Sequence, residues 1–505
     1  MKVIITVDIG TTSVKAIVFD PTGRAVHMDQ RDNAPTYFGD GRVEQDPRSW
    51  SQLLRELLRS CAEFAGSRGM VPTCVAVTAQ RSSVMPVDAS GEPLHPAIMW
   101  QDARCADLAH EFAASNELVY RSTGLKISPV FSALKMTWLR RHRPDIWRAT
   151  HKLLGVQDWA LHELTGRFVT DQSFGSRTNL LDLETRRWNP ALLTLFGVPE
   201  QLLCDLVAPG MVVGGLSAAM AATTHLQAGL PIVSAGGDQQ CAALGLGLFS
   251  SAYAVSNTGT GSYLIGHADR PVFDPGMRVS CNVSAVPGAC IVEAAVLTSG
   301  AVYQWFNDRI VNIGGTAQGS FEALNEEAGG APPGAGGLLL LPHFKGCGSP
   351  HWDPDARGVF CNMSLSTTRG EMARAILEAI AVELKESLEL VERLCGTVRA
   401  VHVSGGMTRL PLFNQIQSDV FERPVQRFGG NEATSQGAWI AGAVATGLAA
   451  SYAEAFARMA PPEAAQAYQP DAATQAIYRQ QRRRARAVFE AMAAPRVRGL
   501  FSLFN

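Results

Sequence analysis

A short pattern occurs twice in this sequence, once near its start and once just past its middle. The first copy is Asp8-x-Gly10-Thr11-x-Ser13 and the second is Asn257-x-Gly259-Thr260-x-Ser262. All matched positions keep one spacing, since 257 − 8 and 262 − 13 both equal 249. Each copy follows a short apolar run that is typical of a buried strand. A chance match between small residues is the alternative. The repeat predicts two similarly folded halves, each opening with a strand, a Gly-Thr turn and a second strand.

The repeat also suggests where the chain divides. We place the boundary near Leu248, so that residues 1–248 and residues 249–505 form the two domains. The second domain would end in a helical tail with a short run of arginines. A solvated helix face is favoured for this run over a nucleic-acid or membrane patch, because the run is short and the whole chain is not basic. The arginines are Arg482, Arg483, Arg484 and Arg486.

The fold class follows from the alternation of strand and helix patterns. Asp46 can cap a helix that opens with Pro47, and Thr368 with Glu371 has the spacing of a capping box. The apolar run from Val398 to Val403 is typical of a buried strand. Alternating strands and helices predict an α/β fold.

The composition excludes several classes of protein. The chain has 505 residues, and 46% of them are hydrophobic, which is enough to form folded domains. Lys and Arg total 44 and Asp and Glu total 46, so the net charge is −2 and we expect no nucleic-acid partner. No apolar run approaches the ~18 residues that span a bilayer, and no secretory signal pattern opens the chain. We expect no membrane association and a cytoplasmic location. The oligomeric state stays open, with a homodimer among the options.

The ten cysteines are scattered singly from Cys61 to Cys395, with no Cys-x-x-Cys pair. This spacing is typical of reduced core thiols in a cytoplasmic protein. It predicts neither a disulfide framework nor a zinc site.

Several common catalytic motifs are absent from the sequence. It has no Gly-Lys pair, and therefore no Walker A loop, and no Gly-x-Gly-x-x-Gly that follows a strand and opens a helix. It also has no His-Glu-x-x-His and no Gly-x-Ser-x-Gly, so neither a zinc protease nor a serine hydrolase is indicated.

The two Gly-Thr turns are the first candidate for chemistry. Small turns between strands present backbone N–H groups to a phosphate, and hydroxyls add further donors. In the first turn these groups belong to Gly10, Thr11, Thr12 and Ser13, with Lys15 close enough to add positive charge, and in the second to Gly259 and Thr260. Asp8, at the end of its strand, could hold Mg²⁺ directly or through water. An ordinary polar hairpin turn is the alternative for either turn alone, but two at equivalent places would clamp a triphosphate.

The second candidate is Asp238, which follows an apolar strand and the pair Gly236-Gly237. A carboxylate at a strand end can accept the proton of an attacking hydroxyl during phosphoryl transfer. The alternative is an aspartate that caps the next helix, and the residues alone do not decide between them.

Two further segments are typical of ligand binding. Gly405 and Gly406, between a buried strand and a helix, suit the adenosine part of a nucleotide, although an ordinary tight strand-to-helix turn can also use two glycines. Gln80-Arg81-Ser82 and Trp100 offer donors, acceptors and an indole face for a polyhydroxylated ligand, although a Trp is more often a core residue. Asp102 and Arg104 can equally form a structural ion pair.

These features together resemble the FGGY family of carbohydrate kinases, within the actin/hexokinase-like ATPase superfamily, over nearly the whole chain. The family's first phosphate motif is similar to Asp8-Ile9-Gly10-Thr11-Thr12-Ser13. The core of one family signature resembles the segment from Lys135 to His142. A second family signature resembles Gly358-Val359-Phe360-Cys361-Asn362-Met363 and the segment from Glu371 to Glu378. Asn362 departs from the family's usual Gly, a difference that we expect to act on a local turn only.

The resemblance implies two ribonuclease-H-like domains, with ATP and a sugar in the cleft between them. It implies that the first domain binds the sugar and holds the base, and that the second binds ATP. Asp238 would be the catalytic base and Asp8 the residue that organises Mg²⁺. Thr258-Gly259-Thr260 matches the second phosphate motif, and Gly405-Gly406 the adenosine motif. Gln80, Arg81, Ser82, Trp100, Asp238 and Gln239 would contact the substrate.

The substrate is less clear from the resemblance. Xylulokinases usually carry Gln-Met-His where this chain has Gln80-Arg81-Ser82. Glycerol kinases share Gln-Arg but follow it with Glu, and their Tyr before Phe-Ser is Val130 here. We expect an ATP- and Mg²⁺-dependent kinase of a small sugar or polyol, with D-xylulose first and autoinducer-2, gluconate, glycerol or another polyol as alternatives. A chaperone-like ATPase and a sugar sensor without turnover are the rivals from other classes.

Overall fold

The computed structural model describes residues 1–312, 317–429, 432–460 and 465–501. Its strands and helices alternate along the chain, as the sequence predicts. In chain order the strands are β1 (Lys2–Ile9), β2 (Ser13–Phe19), β3 (Ala25–Asp32), β4 (Thr36–Tyr37), β5 (Val43–Gln45), β6 (Val71–Ala79), β7 (Met85–Val87), β8 (Ala97–Ile98), β9 (Lys152–Leu154), β10 (Val169–Asp171), β11 (Leu181–Asp182), β12 (Arg187–Trp188), β13 (Asp205–Val207), β14 (Met211–Gly215), β15 (Pro231–Gly237), β16 (Tyr253–Thr258), β17 (Ser262–Ala268), β18 (Ser280–Val283), β19 (Cys290–Val296), β20 (Leu339–Leu341), β21 (Val359–Cys361), β22 (Ala400–Ser404), β23 (Val425–Arg427) and β24 (Gln466–Tyr468).

The α-helices cover much of the remaining chain. They are α1 (Pro47–Ser67), α2 (Ala106–Glu111), α3 (Asn116–Thr123), α4 (Ser132–His142), α5 (Pro144–Ala149), α6 (Val156–Thr165), α7 (Gln172–Gly175), α8 (Pro190–Phe196), α9 (Ala218–Thr224), α10 (Asp238–Gly245), α11 (Gly300–Phe306), α12 (Ala317–Gly330), α13 (Arg369–Cys395), α14 (Pro411–Phe421), α15 (Ala433–Ala445), α16 (Tyr452–Met459), α17 (Ala472–Ala493) and α18 (Pro495–Phe501).

Two mixed sheets form the centre of the molecule, and their main strands follow the same order. The first sheet runs β14-β15-β6-β1-β2-β3, and the second runs β18-β19-β17-β16-β22-β23-β24. In the first, β1, β2 and β3 are an antiparallel meander, and β6 and β15 run parallel to β1. In the second, β16, β17 and β19 form the meander, and β22 and β23 run parallel to β16. The predictions of an α/β fold and of two similarly folded halves are confirmed.

The helix boundaries show why these segments fold locally. Asp46 accepts a hydrogen bond from the Arg48 N–H at the start of α1, with Pro47 in its first turn. The Thr368 hydroxyl accepts from the Glu371 N–H, and the Glu371 carboxylate accepts from the Thr368 N–H, which completes the predicted capping box of α13.

Asn362 lies at a backbone position that explains the glycine usual in the family. Its φ is +68°, in the left-handed region that favours Gly and, after it, Asn. Its side-chain amide donates to the carbonyl oxygen of Gly337 at 3.1 Å. The departure from the family pattern is therefore accommodated by the residue type that, after Gly, tolerates this conformation best.

Helices α10 and α15 cross between the two sheets at unusually short range. A Cβ atom added to Gly245 would lie 2.0 Å from the carbonyl oxygen of Ala433, and one added to Gly437 would lie 1.8 Å from that of Cys241. Only glycine allows the two backbones to approach so closely. Because α10 follows the first sheet and α15 follows the second, this crossing joins the two halves.

The packing of α15 crosses the sequence boundary near Leu248. Trp439 is fully buried and belongs to the same core cluster as Ile4, Phe19 and Ala76 of the first sheet. The second segment therefore contributes a helix to the core of the first. For this reason the domain boundary that divides residues 1–248 from residues 249–505 stays a prediction.

The cysteines and the arginine run have ordinary surroundings. All ten cysteines are free and within the described ranges, and eight of them are buried. The Arg482 guanidinium pairs with the Glu389 carboxylate, and Arg486 pairs with Glu490 at 3.0 Å.

Among the described residues, no helix is both long enough and apolar enough to cross a membrane.

The Gly437→Ala variant tests the helix crossing. We expect it to lower the free energy of unfolding by about 1–3 kcal/mol, because the added methyl group forces α10 and α15 apart. Gly66→Ala is the matched control, since no atom of the described residues lies within 4 Å of a Cβ added there and Ala favours a helix over Gly. Calorimetric unfolding compares the two, and equal stability of both variants would contradict this account of the crossing.

Candidate active site

Each Gly-Thr turn is closed by a backbone hydrogen bond that its first glycine donates, to the third residue onward in the first turn and to the second residue onward in the second. The Gly10 N–H donates to the carbonyl oxygen of Ser13 at 2.9 Å, and the Gly259 N–H donates to that of Gly261, also at 2.9 Å. Thr12, Gly259 and Thr260 are exposed, so their polar groups are available to a ligand. Thr258 differs from the other predicted phosphate-binding residues, because it is buried at the end of β16.

Asp8 lies near the end of β1, directly across the sheet from Lys15. Its Oδ1 atom is buried and has no hydrogen-bond partner among the described residues. Burial and the neighbouring Asp238 carboxylate raise the pKa of Asp8 to about 7, although Lys15 lowers it. A carboxylate in this state is a ready ligand for a cation.

The Lys15 ammonium group is not available as an unpaired positive charge beside the first turn. Its ammonium group forms an ion pair with Glu432, which immediately precedes α15 in the second half. Sequence reasoning missed Glu432 because 417 positions separate it from Lys15.

The acidic groups around Asp8 test whether a divalent cation fits here. Asp238 and Glu432 both act on Asp8 as like charges and raise its pKa. The unpartnered Oδ1 is a hard oxygen donor, which is the donor type that Mg²⁺ prefers. The residues present therefore fit a Mg²⁺ ion, with Asp8 as its protein ligand or as the acceptor for a metal-bound water.

Asp238 is the first residue of α10, and Gly237 occupies the helix-capping position before it. The alternative interpretation of Asp238 as the helix cap is therefore wrong. Its Oδ1 accepts from the Gln239 N–H at 2.7 Å and lies 3.1 Å from Nε of Arg81. Burial raises the pKa of Asp238, and Arg81 partly offsets the rise.

A network of charged groups surrounds Asp238 and joins the two halves. Arg81 Nη1 lies 3.6 Å from Glu293 Oε1, and Arg177 Nη1 lies 3.3 Å from Glu293 Oε2. Asn282 donates to the same Glu293 oxygen at 2.7 Å. Burial and the neighbouring Arg81 lower the pKa of Arg177 to about 10, so it stays charged at neutral pH. Sequence reasoning missed Arg177 and Glu293, since no local pattern marks either.

The predicted sugar-contacting residues line one end of this network. The Trp100 indole N–H donates to the Thr11 hydroxyl at 3.0 Å, and Thr11 donates to Gln80 Oε1 at 3.1 Å. Trp100 is 38% exposed, so it is not the core residue of the alternative interpretation. Ser82 is buried with φ of +70°, a strained backbone of the kind that functional sites retain.

Asp102 and Arg104 lie outside this arrangement. Arg104 pairs with Asp102 at 2.8 Å and with Glu44 at 2.6 Å, and Asp102 also accepts from the Val43 N–H at 2.6 Å. These contacts make them the structural ion pair that the sequence left open.

A cavity of about 470 Å³ opens beside the second turn. Gly405 and Gly406 form part of its wall, and a Cβ added to Gly405, whose φ is +94°, would lie 2.3 Å from the Thr258 carbonyl oxygen. Gln239 also lines this cavity, one residue after Asp238. Its other lining residues include Asn257, Ser404, Arg409, Phe428, Ala433 and Gln436.

One further side chain belongs to the site and was not predicted. Tyr263, in the strand that follows the second turn, is 46% exposed and interacts electrostatically with Arg177. The sequence did contain a signal for this residue. Successive residues of a strand face opposite sides of the sheet, so Tyr263, one residue after Ser262 in the second turn, could be expected on the face opposite Ser262.

Family models match most of the chain. Residues 3–245 match the N-terminal domain of the FGGY family of carbohydrate kinases, and residues 254–446 match its C-terminal domain. A glycerol kinase from Alkalilimnicola ehrlichii is 35% identical over 463 residues, which are 89% of this chain and 91% of that protein. One from Gloeobacter violaceus is 34% identical over 463 residues, 90% of each chain.

Solved structures share the fold over nearly the whole length. A xylulose kinase from Rhodospirillum rubrum has a TM-score of 0.90 at 26% identity, covering 97% of this chain and 99% of that one. A glycerol kinase from Plasmodium falciparum with ADP has a TM-score of 0.87 at 23% identity, covering 97% and 98%. The expected two-domain actin/hexokinase-like fold is confirmed.

The Asp8→Asn variant tests the buried charge. The pKa of Asp8 is raised from 3.8 to about 7 in the fold. The contribution of Asp8 to the free energy of unfolding is therefore fully present at low pH and is lost as pH rises toward and through 7. The neutral amide avoids that loss, so we expect the variant to be more stable than wild type at pH 8 by about 1–3 kcal/mol, with the gain shrinking toward pH 4. Denaturant unfolding without Mg²⁺ or nucleotide measures the difference.

Asp205→Asn is the control for this experiment, since Asp205 lies exposed in β13. We expect no pH-dependent gain from it. A stability difference for Asp8→Asn that is absent at pH 8, or that does not change with pH, would contradict the buried charge.

Proposed function

The chain belongs to the FGGY family of carbohydrate kinases, ATP-dependent phosphotransferases with an alcohol acceptor, and we propose on this premise that Asp238 is its catalytic base. The observation that carries the proposal is the position of Asp238. On one side its carboxylate meets Arg81 of the predicted sugar site, and on the other the next residue, Gln239, lines the 470 Å³ cavity. A base at this junction can serve an acceptor in one compartment and a nucleotide in the other.

The reaction we propose is an in-line transfer. Asp238 accepts the proton of a substrate hydroxyl, whose oxygen forms a bond to the γ-phosphorus while the bond to the leaving ADP oxygen breaks. The raised pKa of Asp238 makes it a stronger proton acceptor than an ordinary aspartate. Backbone N–H groups and hydroxyls at Gly10–Ser13 and Thr258–Thr260 would stabilise the phosphate charge.

Mg²⁺, when bound, would offset charge on the β- and γ-phosphates, and Asp8 would hold it directly or through water. Gly405 and Gly406 would admit the adenosine. We assign the sugar site and the base to residues 1–248 and the nucleotide site to residues 249–505.

Two contacts between the halves would control closure. The Lys15–Glu432 pair and the Arg81–Glu293 contact each join a residue of the first half to one of the second. Their formation would accompany closure of the cleft and exclude water, which otherwise competes with the sugar for the γ-phosphate.

For the acceptor, we propose a sugar or polyol longer than glycerol, with D-xylulose as the first example. Where glycerol kinases carry Glu and Tyr, this chain has the smaller Ser82 and Val130, and Val130 precedes Phe131, whose ring lies 4.7 Å from the Arg177 guanidinium. Removing two large side chains makes room for additional carbons. Glycerol is the second candidate, supported by the 35% identity to a glycerol kinase and by Gln80-Arg81. A cytoplasmic location and a homodimer stay predictions.

The Asp238→Asn variant tests the base. We expect kcat to fall about 10²–10⁴-fold, because the amide cannot accept the proton, while nucleotide binding changes little. Coupled measurement of ADP release in the presence of substrate gives kcat. Asp145→Asn, an exposed aspartate paired with Arg143 at the start of α5, is the control and should retain wild-type kcat. Substrate-dependent ADP release that survives Asp238→Asn would contradict the mechanism, whereas ADP release that needs no sugar would favour a chaperone-like ATPase.

A panel of polyols and ketoses tests the acceptor. We expect kcat/KM for a five-carbon substrate to exceed that for glycerol by at least about tenfold. Val130→Tyr should lower this ratio by about tenfold by refilling the space, whereas Val130→Ile should leave it nearly unchanged. A wild-type preference for glycerol would show that the acceptor, but not the role of Asp238, was wrongly assigned.

A further inference from the structure

Three buried side chains of different ligand types meet in the second half, outside the active site. They are His343 and Cys347, between β20 and β21, and Glu383 of α13. One donor atom from each lies within 4.8 Å of the others. His343 Nε2 is 3.1 Å from Glu383 Oε1, and Cys347 Sγ is 3.9 Å from Glu383 Oε2.

These three side chains are polar or ionisable and yet buried, and such side chains need partners inside a protein. The exposed fractions of His343, Cys347 and Glu383 are 3%, 2% and 8%. The second ring nitrogen of His343, Nδ1, has no hydrogen-bond partner among the described residues. Glu383 accepts from His343 with one oxygen and faces the weakly donating thiol with the other. The acidic and polar groups are therefore only partly satisfied by one another, which is costly inside a protein.

The distances are close to those that a tetrahedral ion requires. Zinc bonds of about 2.0 Å to nitrogen or oxygen and about 2.3 Å to sulfur place neighbouring donor atoms about 3.3–3.5 Å apart. The observed separations are 3.1 Å from His343 Nε2 to one Glu383 oxygen and 3.9 Å from Cys347 Sγ to the other, and one donor atom of each residue lies within 4.8 Å of the others. Side-chain rotations that draw the three donor atoms together would complete the geometry.

The surroundings provide support and access. His351 Nε2 pairs with Glu386 at 3.0 Å, and Glu386 lies one helical turn from Glu383. The rings of His343 and His351 both pack on Phe489, at centroid distances of 5.2 and 4.5 Å. A cavity of about 740 Å³ has His343 in its wall, together with Asp353, Arg357, Phe489, Met492 and Arg498. Of the three proposed ligands His343 lines this cavity, so an ion and a water ligand would reach the cluster past the His343 ring.

We propose that His343, Cys347 and Glu383 bind a structural Zn²⁺ ion, with a water molecule from this cavity as the fourth ligand. The nitrogen, sulfur and oxygen donors suit zinc, whereas Mg²⁺ prefers oxygen alone, so this site is distinct from that of Asp8. A thiolate and a carboxylate together balance the charge of the ion. The ion ties the segment between β20 and β21 to α13. The expectation of no zinc site relied on Cys-x-x-Cys spacing, which does not register this cluster, because Glu383 is 36 positions from Cys347.

Cobalt substitution tests the proposal on the full-length protein. The metal-free chain is titrated with Co²⁺ alone, without nucleotide, and the absorption spectrum is recorded. We expect a cobalt–thiolate charge-transfer band that saturates at one equivalent and disappears on addition of Zn²⁺. Absence of this band in the wild-type protein overturns the proposal and does not depend on any variant.

Matched variants identify the ligands. Cys347→Ser should abolish the band, and Glu383→Gln should weaken Zn²⁺ binding at least about tenfold. Cys361→Ser, at a half-buried cysteine of β21, should leave both unchanged. Wild-type thermal stability should rise with Zn²⁺, and that of Cys347→Ser should not. A band that persists in Cys347→Ser, or is lost in Cys361→Ser, assigns the metal to another thiol and overturns the proposal.

Discussion

The arrangement of the candidate active site depends on the close crossing of two short helices. Asp238 begins α10 and Glu432 immediately precedes α15, so the point where these helices cross determines where both carboxylates lie. The crossing is possible because Gly245 and Gly437 leave no side chain between the backbones. One helix follows the first sheet and the other follows the second. This close backbone contact therefore helps to set the distance between the two halves and between the groups that they contribute.

The charges in the cleft are better understood as positioning devices than as a source of stability. Buried ion pairs rarely repay the cost of removing their charges from water. Here Arg81 contacts both Asp238 and Glu293, and Arg177 shares Glu293 from the other side. This network fixes the base while leaving its pKa raised, and it can form only when the two halves approach each other. The same contacts would therefore link substrate binding, closure and the readiness of the base.

Local features could be predicted from the sequence, and contacts between distant segments could not. The Gly-Thr turns, the capping box at Thr368 and the strand before Asp238 each depend on neighbouring residues. Glu293 and Glu432 act on residues more than 200 positions away, and the periodicity of a strand or a helix carries no record of such a partner. The proposed zinc ligands leave no mark in the sequence for the same reason. The acceptor is the least predictable part, since it depends on the size of a pocket that side chains from several elements define together.

The central claim is that one carboxylate serves both compartments of the cleft. The most direct test is a crystal structure of the protein with Mg²⁺, a non-hydrolysable ATP analogue and a five-carbon polyol. We predict phosphates between the turns at Gly10–Ser13 and Thr258–Thr260, with an Asp238 oxygen about 2.6–3.2 Å from a substrate hydroxyl that faces the γ-phosphorus. Phosphates bound away from either turn, or a substrate whose hydroxyls all lie beyond the reach of Asp238, would contradict the claim.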